Sequence, residues 1–184
     1  LWKEALDVCI FNTPIMPFFI KPRISIVIAY DFAYKYFGGS LFLEWLHAYS
    51  LRRADHIVSI SEFTKRETIH FFTIPEKKIT TIYLGYADLC AYEKRPSFEP
   101  PQKYFLFVGV IKKRKNVHGV VEAFRLFNQK SGLSHKLVIA GWGRGAYYEK
   151  ITKLIAQYNL SENVVLTDKV RGDEISYFYK RAEA

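Results

Sequence analysis

Gly109 is followed by Val110-Ile111-Lys112-Lys113-Arg114-Lys115-Asn116, and these residue types in this order could hold a phosphate. An apolar run from Tyr104 to Val108 stops at Gly109, and Val117 to Phe127 has the spacing of a helix. A strand, a glycine turn, clustered cations and a helix are the parts such a site needs. Glycine lets backbone approach a ligand closely, an arginine at 114 offers a fork of donors to phosphate oxygens, and a lysine at 115 adds a compact charge. Oxygens reaching the start of the following helix would also meet its free N–H groups and its positive end. A solvated basic loop after a core strand has the same composition, so the surroundings of the run must decide.

Other chemistry-bearing residues are sparser. Tyr30-Asp31 closes the β-branched run Ile24 to Ala29, and Asp31 there suits either a turn or a polar contact. Ser61 lacks the G-x-S-x-G surroundings of a nucleophile and is placed to cap the helix that follows it. Gly141-Trp142-Gly143-Arg144-Gly145 lacks the G-x-G-x-x-G spacing of a dinucleotide fingerprint. The five histidines show no metal-ligand spacing, and Cys9 and Cys90 stand far apart without a C-x-x-C pattern. No metal site and no disulfide framework are expected, and two unpaired cysteines fit a reducing, cytoplasmic compartment.

The elements that would position these residues follow from periodicity. Strands are expected at Leu6 to Phe11, Ile24 to Ala29, His56 to Ile60 and Lys78 to Tyr83, with helices at Leu41 to Ala54 and Glu62 to Phe72. Pro96, Pro100 and Pro101 with mixed charge mark residues 91–103 as a linker. Beyond it the spacing predicts strands at Tyr104 to Val108, Lys136 to Ala140 and Asn163 to Thr167. Helices are expected at Val117 to Gln129, Ala146 to Tyr158 and Asp173 to Ala182. Alternating strand and helix argues for α/β architecture with doubly wound parallel sheets, which bind ligands beyond the carboxyl ends of their strands. Gly109, Gly141 and Asp168 all fall at such ends. Of the 184 residues 49% are apolar, with 15 Phe and 13 Tyr, enough for packed cores and too many for a disordered chain. The net charge of +9 is concentrated after residue 92, where 17 Lys and Arg face 9 Asp and Glu. A phosphorylated small molecule, a nucleic acid or an anionic membrane surface would suit that field.

Taken in order, the motifs resemble the retaining, nucleotide-sugar-dependent glycosyltransferases of family 4, which have the GT-B fold. Tyr30-Asp31 is similar to that family's His-Asp pair. Arg53-Ala54-Asp55 with Val58 to Lys65 resembles its "R-A-D…V-S-x-S-x-x-S/T-K" segment, and Gly85 with Asp88 resembles "N-G-x-D". Phe107-Val108-Gly109 with Arg114-Lys115-Asn116 looks like "VG…RKN", Leu137 to Gly141 like "L-V-I-x-G", Asn163-Val164 like the "N-V" strand, and Tyr179, Ala182 and Ala184 like "LYxxAxA". The resemblance covers almost the whole chain.

It implies two Rossmann-like domains. Residues 1–90 would be the later part of an acceptor-side domain incomplete at its N-terminus, and 104–184 a donor-binding domain truncated at its C-terminus, before the E-x7-E carboxylates. Carried over by position, Gly109, Arg114 and Lys115 would bind the donor diphosphate, and Gly141, Lys169 and Val170 would belong to donor-site loops. Tyr30 and Asp31 would occupy the catalytic His-Asp position. A phenol can hydrogen-bond a sugar hydroxyl but cannot act as an imidazole near neutral pH, and Val110 stands where many relatives carry arginine. The function implied is transfer of a hexosyl group, mannosyl or similar, from GDP-mannose or a UDP- or dTDP-hexose to a glycan or lipid-linked saccharide. No metal or other cofactor is expected, nor a nucleic-acid partner. The setting would be cytoplasmic, with peripheral membrane contact compatible with the charge, and this stretch alone would be inactive. Two rivals remain open on the sequence: a catalytically idle relative acting as a scaffold, suggested by Tyr30, and a basic nucleic-acid-binding module.

Overall fold

The computed structural model describes residues 6–19, 22–86 and 94–184. The chain divides into two compact units, Leu1–Tyr86 and Ala87–Ala184. The first contains β1 (Val8–Phe11), β2 (Ile24–Ala29), α1 (Tyr34–Phe37), α2 (Leu41–Arg53), β3 (His56–Ser59), α3 (Glu62–Phe72) and β4 (Ile79–Thr81). The second contains β5 (Tyr104–Val108), α4 (Val117–Ser131), β6 (Lys136–Ala140), α5 (Ala146–Gln157), β7 (Val164–Leu166) and α6 (Gly172–Arg181). Among the described residues the strands form two parallel sheets, ordered β1-β2-β3-β4 and β5-β6-β7. The α/β parallel-sheet expectation is met, and most elements fall within two residues of their predicted bounds.

In the first unit Val27, Ala29 and Ile57 of the sheet pack with Met16, Phe32, Leu51 and Phe72 into one core. Ser61 caps α3 as its sequence position predicts, its hydroxyl accepting the Thr64 N–H at 3.1 Å, a contact worth about 1 kcal/mol. The helix ends where Thr73 turns left-handed (φ 55°), two residues before Pro75. α2 exists as expected but presents an unexpected face. Its buried residues are His47, Ser50 and Leu51, whereas Leu41, Phe42 and Trp45 are exposed. α2 therefore meets the core through Leu51, packed with Phe32 and Phe72, and through the hydrogen-bonding groups of His47 and Ser50. Ser50 Oγ donates to the Leu46 carbonyl and accepts the Met16 N–H at 2.9 Å. The outward-facing aromatics make a row on the outside, Trp45 stacking with Phe18, Phe42 and Tyr49 at centroid separations of 5.6 to 6.0 Å.

The second unit sandwiches its sheet between two apolar layers. α4 and α5 cover one face through Val117, Val121, Phe124, Ile151 and Ile155, and α6 covers the other through Phe178 against Tyr104 and Val138. Tyr104 is wholly buried and donates its hydroxyl to the Phe178 carbonyl at 2.7 Å. Burial pushes that phenol up to about 12. Residues 94–103, expected as part of a linker, are strapped to α6: the Lys94 N–H donates to the Asp173 carbonyl, and Glu99 accepts both the Tyr177 hydroxyl and Arg95. The proline-rich composition that reads as a tether in sequence is here an irregular segment tied down through Lys94 and Glu99. The remaining expected linker residues, 91–93, lie outside the described residues, as do Asp88 and Cys90; Cys9 is half-buried on β1. Beyond α6, the Ala184 carbonyl accepts the Leu106 N–H and the Glu183 N–H donates to the Tyr104 carbonyl. The chain thus crosses from β7 back to the free edge of β5, reversing the direction in which the sheet grew. Such a reversal is a topological switch point, and the crevice outside the strand ends at a switch point is where open α/β sheets bind ligands.

One contact in the first unit ties its stability to pH. The Tyr34 hydroxyl and His47 Nδ1 share a hydrogen bond at 3.0 Å. Burial, with the Glu44 charge adding to it, raises the Tyr34 phenol to about 12, and burial pulls the His47 imidazole below its ordinary value. Both groups are therefore neutral near pH 7. Because the folded state binds the His47 proton less readily than the unfolded state, this contribution is complete above the unfolded value of about 6.5 and is lost as pH falls from there toward the folded value. The urea midpoint of the first unit should drop on acidification below about pH 6.5, and His47→Gln should flatten that drop. An equally steep acid limb in the variant would show that another group is responsible.

Candidate functional site

The carboxyl ends of β5, β6 and β7 converge through backbone contacts. The Gly109 N–H donates to the Ala140 carbonyl and the Ile111 N–H to the Trp142 carbonyl, both at 3.0 Å, while Gly141 makes an isolated antiparallel bridge with Asp168. Two glycines make this closeness feasible. Gly109 has φ of 150°, which residues with a Cβ rarely adopt. A Cβ on Gly141 would stand 2.0 Å from the Gly109 carbonyl oxygen, far inside van der Waals contact. Gly143 is likewise hemmed in, since a Cβ there would fall 2.5 Å from the Tyr148 ring and 2.8 Å from Ile111. The run from Gly141 to Gly145 is thus glycine-rich because it interlocks with the Gly109 loop.

Ile111 is buried and pins the loop to the core. After it the chain makes a single 3-10 turn, Lys113–Lys115, that places Lys112, Lys113, Arg114 and Lys115 in solvent. Among the described residues neither Arg114 nor Lys115 has an ion-pair or hydrogen-bond partner for its charged group. Asn116 closes the turn in left-handed backbone (φ 50°), and its side chain accepts the Gly119 N–H at 3.3 Å, capping α4. At the ends of β6 and β7, an open cleft of about 500 Å³ is lined by Trp142, Gly143, Arg144, Asp168 and Lys169. Of the donor-loop residues singled out in the sequence, Gly141 adjoins this cleft and Lys169 lines it. Val170 is half-buried against the Tyr104, Val138 and Phe178 cluster, so its side chain serves packing. Trp142 and Arg144 escaped the sequence reading, because the glycines around them suggested only a fingerprint that did not fit. Their signal was an indole and a guanidinium just past a strand end, and the guanidinium lies 5.9 Å from the Trp142 ring.

In the first unit the corresponding edge holds Tyr30 and Asp31. The Tyr30 hydroxyl donates to Asn12 Oδ1 at 2.5 Å, and Asp31 Oδ1 accepts the Ala33 N–H at 3.0 Å, opening the turn into α1. The Tyr30 carbonyl accepts from the Thr64 hydroxyl, which joins this edge to the start of α3. Arg53-Ala54-Asp55 lies at the opposite end of the strands and is architectural. Asp55 Oδ2 accepts the Ser25 N–H and hydroxyl at 2.8 and 2.6 Å, while Arg53 donates to the Phe18 carbonyl and to Tyr49.

Two family profiles match the chain in succession, one described as Glycosyltransferase Family 4 over residues 4–87 and one as Glycosyl transferases group 1 over residues 91–184. The chain belongs to this glycosyltransferase family. It is 25% identical over 141 residues to O-antigen chain mannosyltransferase B of Escherichia coli, a match covering 72% of this chain and 37% of the relative. It is 22% identical over 148 residues to O-antigen chain mannosyltransferase RfbU of Salmonella typhimurium, covering 80% and 39%. The chain therefore spans well under half the length of these relatives. Among solved structures, Anabaena Alr3699/HepE in complex with UDP and glucose superposes with a TM-score of 0.69 at 14% identity, covering 87% of this chain and 45% of that one. Sucrose-phosphate synthase from Thermosynechococcus elongatus gives 0.64 at 16%, covering 86% and 42%. The fold is of the GT-B type, as the motif order implies.

The glycine contact supplies a test. Gly141→Ala should force the ends of β5 and β6 apart and destabilise the second unit by about 1–3 kcal/mol or more, the usual range for overpacking. Gly172→Ala, at the open first position of α6, should be neutral or stabilising by up to about 1 kcal/mol. Chemical denaturation of the two variants distinguishes a specific steric requirement from a general intolerance of alanine.

Proposed function

We propose that the protein transfers a hexosyl group, mannosyl or similar, from a nucleotide diphosphate sugar to a glycan or lipid-linked saccharide, with retention of anomeric configuration. The observation that carries this reading is the 3-10 turn at the switch-point edge of β5, whose Arg114 and Lys115 face solvent with no protein counter-charge. As the bond from the sugar's anomeric carbon to the diphosphate oxygen breaks, its electron pair stays on that oxygen. The two cations would stabilise the growing negative charge, helped by the N-terminal end of α4. Cations held by the protein can fill the role that a metal fills elsewhere, so a metal-independent reaction is part of the proposal. Gly109 and Gly141 would keep the backbone low enough for the diphosphate to approach.

Tyr30 and Asp31 would serve the acceptor side, the phenol and carboxylate hydrogen-bonding sugar hydroxyls at the strand edge of the first unit. Because Tyr30 cannot exchange a proton as an imidazole does, a donor-binding protein with little turnover is the second reading. The bacterial relatives are named for O-antigen mannosyl transfer, which supports mannose and a polysaccharide product. A cytoplasmic enzyme working at the membrane's inner face fits that role. Among the described residues no helix is long and apolar enough to cross a membrane. Peripheral contact would use the outer face of α2, where Leu41, Phe42 and Trp45 lie exposed with Arg52 on the same helix.

Replacing Arg114 and Lys115 together by Ala should weaken GDP or UDP binding at least about a hundredfold by calorimetry. Two charge-assisted contacts of about 1.5 to 3 kcal/mol each would be lost. Unchanged affinity would sink the assignment, and nucleotide binding that needs added divalent metal would refute the metal-independent part. Sedimentation with anionic phospholipid vesicles should fall several-fold in a Phe42→Ser, Trp45→Ser double variant; equal sedimentation would remove α2 as the contact.

A further inference from the structure

Asp31 is held by a small structure that begins two residues after it. Its Oδ1 accepts the Ala33 N–H at 3.0 Å, and Ala33 opens α1. The single turn of α1 is closed by the Lys35 N–H on the Phe32 carbonyl and by the Tyr36 and Phe37 N–H groups on the Ala33 carbonyl. One helical turn is far too short to hold itself together in water. It ends on two glycines, Gly38 at φ 80° and Gly39, so the place of α1 is set by its side chains. Three successive residues tie it down. Tyr34 bonds His47 on α2. Lys35 pairs with Glu44 on α2, its ammonium 5.2 and 5.6 Å from the Phe71 and Phe72 ring centroids. The Tyr36 hydroxyl donates to the buried Glu67 on α3.

One of these ties changes character near neutrality. His47 is 8% exposed, and its ring meets those of Phe32 and Tyr34 at 6.4 and 5.2 Å. The other titratable and charged groups of the cluster are Asp31, Tyr34, Lys35 and Tyr36 in and before α1, Glu44 on α2 and Glu67 on α3. Among these types only the imidazole ordinarily changes charge between about pH 5 and 8. An imidazolium at this place is a charge taken out of water among aromatic rings, which burial disfavours. Moving α1 away returns the ring to water, so the open form takes up a proton more readily than the closed one. Acid therefore favours opening, and opening withdraws the Ala33 N–H from Asp31. From this geometry we propose that His47 is a positioning residue for Asp31: neutral, it holds α1 and so orients the carboxylate, and protonated, it releases both. The inference goes beyond the transferase reading and borrows from it only the placing of Asp31 on the acceptor side.

The test is amide hydrogen exchange of this protein, read residue by residue by NMR and corrected for the intrinsic effect of pH. Rates are compared at about pH 7.5 and about pH 5.5, on either side of the ordinary imidazole value, and in urea well below the unfolding transition. The Ala33 amide reports the bond to Asp31, and the Tyr36 amide reports the α1 turn. Both should lose protection severalfold on acidification, with a ceiling of about tenfold per pH unit for one linked proton. Low urea should leave their rates unchanged, because a local opening exposes little surface. In His47→Gln, whose amide can still bond the Tyr34 hydroxyl but does not titrate, protection should change less than about twofold with pH. His70→Gln, at an exposed position on α3, should behave as the natural sequence does. Protection independent of pH in the natural sequence would overturn the inference, as would a pH response that survives His47→Gln. So would a response that grows with urea in step with the amides between β2 and β3, since overall stability would then account for it. Tyr34→Phe keeps the ring and loses the hydroxyl, and it should lower Ala33 protection about fivefold at neutral pH, the scale of one hydrogen bond. Unchanged protection in that variant would show that the tie to His47 does not hold α1. None of these measurements depends on donor binding or transfer, so this inference and the transferase reading fail separately.

Discussion

The approach of the Gly109 carbonyl to Gly141 is the contact on which the ligand edge of the second unit depends. With 2.0 Å between that oxygen and the place a Cβ would take, no other residue at 141 lets the ends of β5 and β6 lie where they do. From that closeness follow the hydrogen bond from Ile111 to the Trp142 carbonyl, the burial of Ile111, and the bridge that sets Asp168. The basic turn and the cleft are consequently joined to the sheet through the same set of backbone contacts.

The motifs that place the chain in its family divide into two physical kinds. Arg53 and Asp55 sit at the amino ends of the strands and satisfy buried backbone and Ser25, so their spacing is dictated by the need to leave no polar group unpaired. Arg114 and Lys115 sit just beyond the carboxyl end of β5, and their charged groups satisfy nothing among the described residues of the protein. Residues of the first kind hold the sheet in register. The second kind are exposed charges that repel one another within the Lys112 to Lys115 run, and any compensation for that repulsion would have to come from a bound partner.

Much of the architecture was legible in the sequence because strands such as Tyr104–Val108 and Lys136–Ala140 are short apolar runs bounded by glycine, and because Ser61 precedes a clear helical pattern. Periodicity gives each segment a type but says little about which side is covered. α2 shows the limit: its apolar residues predict a helix correctly, yet the face that packs carries His47 and Ser50 beside Leu51, while Leu41, Phe42 and Trp45 face out. α1, four residues long, and the 3-10 turn at Lys113–Lys115 are too short to leave a periodic signal. Strapping of residues 94–103 to α6 depends on contacts between Glu99 and Tyr177, far apart in sequence, which composition does not encode. For the candidate site, the cations and glycines could be named from sequence. The cleft could not, since it exists only once Trp142 and Asp168, from different strand ends, are brought side by side.

The order of strands also bears on how each unit reaches its final form. In the first, each described strand pairs with the one before it, β1 to β2 to β3 to β4, so this part of the sheet can grow in the order the ribosome delivers it. In the second, the outer edge of β5 waits for Glu183 and Ala184, which follow it in sequence by two strands and three helices. Long loops must close before that edge is covered, which slows folding and leaves an open strand in the meantime. Lys103, just ahead of β5, and the cationic run just after it then do a second duty on the nascent chain: like charges bracketing an uncovered strand discourage two such strands from pairing with each other.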